Sequence, residues 1–379
     1  MKNRRILFLL APGMLAGIVI AILALMPAAA QASGGSFIGG LHVNVIGSTV
    51  PHNGDVNPYG IVTAPTTTGD LTQGNILISN FNAVSNLQGT GTTVVQLTPG
   101  GSLSVFTHLK AGELNGNCPG GVGLTTALVA LQRGWVIVGS LPTSDGTSAT
   151  AKAGCLIVLN NWGQPVETFS GSPINGPWDM TAFDQGNEAS LFVTNVLNGT
   201  VDAKGSVVNK GTVVRIDLNV PWPGHGNPAI EDTTVIGSGF SERTDPAALV
   251  IGPTGVGLSG NTLYVNDSVN NRIAAIPNAI ERETSALTGK DVTSNGELND
   301  PLGLTIAPNG DILTVNGNDG KIVETTPGGT QIAHKLIDKT ITPPSTVPGA
   351  GCLFGLTIIP GGAGVYFVDD CTNTLNTLS

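Results

Sequence analysis

Asn57-Pro58-Tyr59-Gly60-Ile61-Val62, near the start of the chain, and Asp300-Pro301-Leu302-Gly303-Leu304-Thr305, near its end, spell the same phrase. A polar residue and a Pro lead into a Gly that opens an apolar strand. Variants begin at Gly121, Gly176, Gly252 and Cys352. A polar turn follows each, then a second apolar strand that tends to close on Asn or Asp, as in Leu263-Tyr264-Val265-Asn266-Asp267. Recurrence on this scale means one supersecondary unit copied along the chain.

The units read as groups of short antiparallel strands. In the first, Gly60 to Val62 is followed by strands at 75–80, 92–98 and 102–108, the last two joined by Pro99-Gly100-Gly101. The fifth repeats this at 302–307, 311–316, 321–325 and 331–337; the fourth shows three strands, at 253–256, 263–267 and 272–276. About four strands at a period of roughly 40–60 residues is the pattern of a β-propeller. The sixth unit has only three strands before Ser379, which would leave an unpaired edge and an unclosed ring. Leu41-His42-Val43-Asn44-Val45-Ile46 alternates like a strand ahead of the first unit. The expected fold is therefore all-β: a six-bladed β-propeller closed by an N-terminal strand that completes the last blade.

Composition agrees. Charged residues are 11% of the 379, against about 25% in an average soluble domain. Gly, Thr, Asn and Ser fill the difference, a mixture that favours turns and strands over helices. Residues 1–32 read as a signal peptide: Lys2, Arg4 and Arg5, the apolar run Ile6 to Met26, then Ala30-Gln31-Ala32 before Ser33. An uncleaved membrane anchor is the alternative for so long a run. The mature chain, 33–379, is expected to be one propeller domain, secreted or periplasmic, monomeric, with no stable membrane insertion. Loss of the three basic leader residues takes the formal charge from −10 to −13, and no basic cluster stands out, so nucleic acid is not an expected partner.

The wording of the units resembles the NHL family of six-bladed propellers. Leu263-Tyr264-Val265-Asn266-Asp267-Ser268-Val269-Asn270-Asn271-Arg272-Ile273 is close to the family's apolar–V–x–D–x–x–N–N–R–I run, and 302–310 resembles the strand and turn that open such repeats. The likeness implies a scaffold. The family holds binding modules and a few enzymes, so it does not choose a chemistry.

Four cysteines are even in number, as an oxidising compartment suggests. Cys118 and Cys155 occupy the same places in the second unit as Cys352 and Cys371 do in the sixth, which argues for those two pairs; four reduced, buried thiols are the alternative. Each inner strand opens on Gly60, Gly123, Gly255, Gly303 or Gly355, except in the third unit, where Asp179 stands beside Trp178. A carboxylate flanked by an indole there is either a ligand or metal contact at the channel mouth or a cap on a neighbouring backbone turn.

The second-strand ends supply a ring of Asn80, Ser140, Asn195, Asp267, Gly317 and Asp370, preceded by Ser79, Gly139, Thr194, Asn266, Asn316 and Asp369. Converging oxygens would suit Ca2+ or Mg2+ in the central channel; Asn and Asp are also ordinary turn formers. Calcium-dependent propeller lactonases resemble this ring, but they carry a Glu at the start of an inner strand that this chain lacks. Streptogramin-lyase-like propellers need histidines near the channel, and the five here are scattered.

In the charged loop Ser241 to Pro246, Arg243 is a candidate clamp for an anion, with self-pairing inside the loop as the alternative. Trp222, between Pro221 and Pro223 on the opposite face, would stack on a sugar or simply cover the blade. The reading that follows is a scaffold binding a small molecule, carbohydrate or protein on the Asp179 face. Its competitor is a metal-assisted hydrolase or lyase, lactonase-like or streptogramin-lyase-like, at the channel mouth.

Overall fold

A computed structural model describes residues 35–379; the expected signal peptide lies outside the described residues. Six antiparallel sheets form the blades of a β-propeller. After β1 (Val43–Ser48), the first blade is β2 (Val56–Thr63), β3 (Ile76–Asn82), β4 (Thr93–Leu97) and β5 (Leu103–His108). The second is β6 (Leu124–Ala130), β7 (Val136–Ser140), β8 (Cys155–Leu159) and β9 (Pro165–Ser170). The third is β10 (Pro177–Asp184), β11 (Glu188–Asn195), β12 (Val208–Asn219), β13 (Ala229–Asp245) and β14 (Leu249–Ile251). The fourth is β15 (Pro253–Ser259), β16 (Thr262–Asp267), β17 (Arg272–Pro277) and β18 (Lys290–Ser294). The fifth is β19 (Pro301–Ile306), β20 (Ile312–Asn316), β21 (Lys321–Thr325) and β22 (Gln331–Leu336). The sixth is β23 (Leu353–Ile358), β24 (Val365–Asp369) and β25 (Thr374–Leu378).

β1 completes the sixth blade, pairing antiparallel with β25 from Val43 opposite Leu378 to Ser48 opposite Thr374. The expected closure is therefore present. It is locked from outside as well: the buried carboxylate of Glu324 accepts from Ser36 Oγ (2.6 Å), Phe37 N (2.7 Å) and Ile38 N (3.1 Å). Each blade buries one sheet face against the next, so strands two and three of most blades are apolar on both sides.

Two strands were not expected. β18 carries half-exposed and exposed residues on both faces, so no apolar alternation marks it. β14 is an extra fifth strand, formed because β13 runs on past its blade and turns at 246–248. The disulfides join Cys118 to Cys155 and Cys352 to Cys371, as expected, and no free cysteine remains among the described residues.

Candidate functional site

Inner strands begin on the face where second strands end. This mouth face carries Tyr59, Trp178, Asp179 and the strand-end amides. Strand pairing sets the phase of the ring around the axis. Pro58, Leu124, Pro177, Pro253, Pro301 and Leu353 lie opposite the ends of the second strands, and each inner strand breaks register just after them. Two residues further on, the ring is Gly60, Thr126, Asp179, Gly255, Gly303 and Gly355. In the second blade the place belongs to Thr126, not Gly123; Gly123 lies one residue before β6 begins. Glycine is required where blades crowd: a Cβ on Gly303 would collide with the Phe354 carbonyl, and one on Gly355 with that of Tyr59.

Asp179 is 8% exposed and lines the channel. Its carboxylate accepts from Met180 N (2.8 Å) and, across the gap to the next blade, from Val256 N (3.0 Å). Burial pushes its pKa up to about 7, against the pull of those two donors. The bore of about 250 Å3 continues between the later halves of the inner strands, where residues such as Val62, Thr181 and Thr305 are half-buried.

Toward the mouth face the bore is stoppered. Tyr59 stacks between Phe81 (4.4 Å between centroids) and Phe354 (3.8 Å). Trp178, Leu302 and residues 248–251 complete this apolar cluster. Three side chains hold the β13–β14 turn over it: Gln88 Nε2 donates to Pro246 O (2.8 Å), Tyr59 Oη to Ala247 O (3.4 Å) and Trp178 Nε1 to Val250 O (3.0 Å). Leu249 sits at φ +63°, a strained conformation that this packing must maintain. Below the plug is a void of about 10 Å3, lined in part by Thr125 and Thr126, whose hydroxyls have no partner among the described residues. That is room for about one water.

The strand-end residues do not meet on the axis. In the fifth and sixth blades the ring position is Asn316 and Asp369, one residue earlier than Gly317 and Asp370. Asn80 Nδ2 donates to Thr49 O (3.1 Å), Asn195 Oδ1 accepts from Asn175 N (3.1 Å), and Asn316 Oδ1 accepts from Asn299 N (3.1 Å). Each thus ties down the segment leading into its own blade. Asp267 pairs with Arg272 (2.8 Å), and Asp369 accepts from Thr372 N (3.0 Å). Asn266 reaches sideways, donating to Leu302 O (3.0 Å) and Gly303 O (3.1 Å) in the next blade; Ser79 and Thr194 make the matching bonds to Thr125 O and Thr254 O. Ser241 to Asp245 belong to β13, paired with β14, rather than to a loop, and Arg243 is spent there on Asp245 (3.0 Å).

A divalent cation fits this axis poorly. Calcium takes about six to eight oxygens, whereas Asn195, Asn316, Asp267 and Asp369 already spend oxygens on protein donors; the buried Asn80 oxygen has no partner among the described residues. Asp338 and Asp369 do approach each other beside Cys352 and Cys371. Those two sulfurs are joined in a disulfide, so only two carboxylates would face an ion there.

A wide opening on the mouth face lies beside the axis. A cleft of about 680 Å3 is walled by Asn57, Asn82, Asn86, Gln88, Pro343, Pro344, Gly351 and Asn373, with the 246–247 turn on one side and Asp370 within it. The half-buried Asp370 carboxyl is held by an amide chain. The Asn57 amide, turned to face it, donates to both carboxylate oxygens (2.5 and 2.9 Å) and accepts from Asn82 Nδ2 (2.8 Å). Asn82 Nδ2 also donates to Asn86 Oδ1 (2.8 Å). Among the described residues no cationic side chain pairs with Asp370. Burial, then the neighbouring Asp369, push its carboxyl well above the usual carboxylate range. Sequence reasoning used Asp370 only as a strand end; nothing local marked it as the centre of a cleft.

No protein-family model matches the chain, and no curated protein matches it. Solved structures do. A gluconolactonase from Xanthomonas campestris aligns at 12% identity over 90% of this chain and 89% of that one, with a TM-score of 0.53. A luciferin-regenerating enzyme aligns at 10% identity over 90% and 95%, TM-score 0.54. Regucalcin, a calcium-binding protein from Agrobacterium tumefaciens, aligns at 14% over 89% and 95%, TM-score 0.51. At these identities the likeness establishes the propeller fold and nothing finer.

Proposed function

We propose that this chain is an exported binding scaffold whose ligand is a small polar molecule carrying an amine, taken up in the mouth-face cleft. One observation carries the reading: a carboxyl with no counter-charge among the described residues, Asp370, sits among Asn57, Asn82, Asn86 and Asn373 in a wide opening of that face. A buried carboxyl without a counter-charge favours either protonation or a cationic partner. The surrounding amides offer both donors and acceptors to hydroxyl groups. Two disulfides support export, since such bonds persist in oxidising compartments.

The test is a thermal-shift series at pH 7 with glucosamine and spermidine as amines, glucose as a neutral control and gluconate as an anion. Amines are expected to raise the melting temperature by mass action, gluconate to leave it unmoved, and Asp370→Asn to abolish the effect. An amine shift that survives Asp370→Asn, or no shift with either amine, refutes the reading.

A second reading, hydrolase or lyase chemistry assisted by Ca2+ or Mg2+ at the axis, is favoured by the fold shared with a gluconolactonase and with regucalcin. Against it stand the aromatic stopper and the protein donors already held by the oxygens of Asn195, Asn316, Asp267 and Asp369. Melting curves with Ca2+, Mg2+ and EDTA separate the two: a metal-dependent rise, joined by lactone hydrolysis, supports the second reading.

A further inference from the structure

Aromatic residues are 4% of this chain, with only four Trp. Trp135 and Trp178 are buried; Trp162 and Trp222 are 54% and 58% exposed. Both exposed rings lie in third-to-fourth strand turns of adjacent blades, β8–β9 and β12–β13, on the face opposite the mouth. The β6–β7 turn lies between them. Arg133 in that turn sets its guanidinium over the Trp222 ring, 4.9 Å from the centroid, and donates to Val220 O. The next residue, Gly134, lies against Asn161, the neighbour of Trp162. Two single-residue steps therefore connect the rings.

Each turn is held rigid. Asn160 Oδ1 accepts from Trp162 N and Gln164 N (both 3.0 Å), and Asn160 Nδ2 donates to Gln164 Oε1 (3.0 Å). The 220–228 turn is stiffened by Pro221 and Pro223. Trp135 Nε1 donates to Pro221 O (2.7 Å), and Asn227 Nδ2 donates to Val166 O in the neighbouring blade (3.0 Å). Arg133 covers one face of the Trp222 ring, and the ring's exposure leaves the other face open. Around the indoles lie the amides of Gln132, Asn160, Gln164 and Asn187, together with Arg133 itself, His225 and the Asp184 carboxylate that Gln132 N donates to.

From this we propose a second binding site: a platform for a neutral glycan strand, formed by Trp162 and Trp222 across the 132–134 turn. A protein partner would favour a contiguous apolar centre with a polar rim, and here polar side chains separate the two rings. A sugar chain matches that alternation, laying its C–H faces on the indoles and its hydroxyls on the amides between them. Preorganised rings lose little freedom on binding. The chain's acidity, −13 once the leader's charges are removed, disfavours anionic polymers.

The test is affinity electrophoresis of the intact chain through gels containing hydroxyethylcellulose, xylan or galactomannan, with alginate as an anionic control. Wild type is expected to be slowed by at least one neutral polymer and not by alginate. Trp162→Ala and Trp222→Ala are each expected to weaken retention roughly three- to tenfold, the weight of one lost aromatic contact, and the double variant to run as in a blank gel. Trp222→Tyr, which keeps a ring, should recover part of the retention. Melting temperatures near wild type certify the variants as folded. No retention by any neutral polymer, retention by alginate alone, or full retention of the folded double variant overturns the proposal.

Discussion

The carboxyl of Asp179 makes stability depend on pH in a direction opposite to that of an ion-paired acid. Its pKa rises from 3.8 to about 7 on folding, chiefly through burial. A carboxyl whose folded pKa is raised contributes stability that is fully present below the unfolded value and is lost as pH rises through the folded one. A shift of about three units corresponds to roughly 4 kcal/mol in all, of which about 2–3 kcal/mol falls between pH 5 and pH 8.

Asp179→Asn removes that dependence at a fixed cost. Its amide keeps one acceptor for Met180 N or Val256 N but turns an NH2 toward the other, a penalty of about 1–3 kcal/mol. The variant should therefore be less stable than wild type at pH 5 and should close or reverse the gap by pH 8. Urea unfolding at pH 5, 6, 7 and 8 measures this, and the relative midpoint should move by roughly 0.5–1 M across the series. The variant keeps a residual slope in the same direction, because Glu242 and Asp300 are also raised to about 7 by burial. Equal pH slopes for wild type and Asp179→Asn would refute the assignment of a titrating, desolvated carboxyl to the channel wall.

Glu324→Ala deprives Phe37 N and Ile38 N of their acceptor; a loss of about 2–4 kcal/mol is expected, read as a lower urea midpoint together with faster proteolysis ahead of β1. Burial alone would raise Glu324, but its bonds from Ser36, Phe37 and Ile38 hold it below the usual value, so this clasp should weaken as pH falls through its folded pKa. Replacing Cys118 and Cys155 by Ser opens a loop closed over 37 residues and should cost about 3–4 kcal/mol in the chain-entropy description, measured against wild type under non-reducing conditions. Trp178→Ala removes a buried indole and the bond to Val250 O; a loss of about 3–5 kcal/mol is expected, with faster amide exchange confined to 246–251.

The blade count was legible because every blade repeats the same local demand: a turn, a Gly or small residue where inner strands crowd, then two strands buried on both faces. Closure was legible for a related reason, since an alternating strand ahead of the first unit had an unpaired edge waiting for it. β18 was not, because Lys290 to Ser294 buries neither face and carries no periodic signal. The second blade's ring position was misjudged by three residues. The run 118–123 offers several glycines, and only the pairing of Leu124 with Ser140 shows that Thr126 is the one facing the axis. The candidate side chains were legible as residues and not as partners: Asn80, Asn195 and Asn316 stand at strand ends as expected, yet each bonds to a segment brought back by the chain's path.

By itself the sequence determined the repeating strands, the ring they close and the half-cystine pairs, because these follow from periodicity and from equal positions in copies of one unit. Only the tertiary structure decided where each polar side chain spends its hydrogen bonds, that aromatic residues stopper the axis, and that Asp370 has no cationic partner among the described residues. Alternation and turn chemistry act over a few residues. The lone pairs of an amide, or the solvation of a carboxyl, are settled by whatever distant stretch of chain folding brings within about 3 Å.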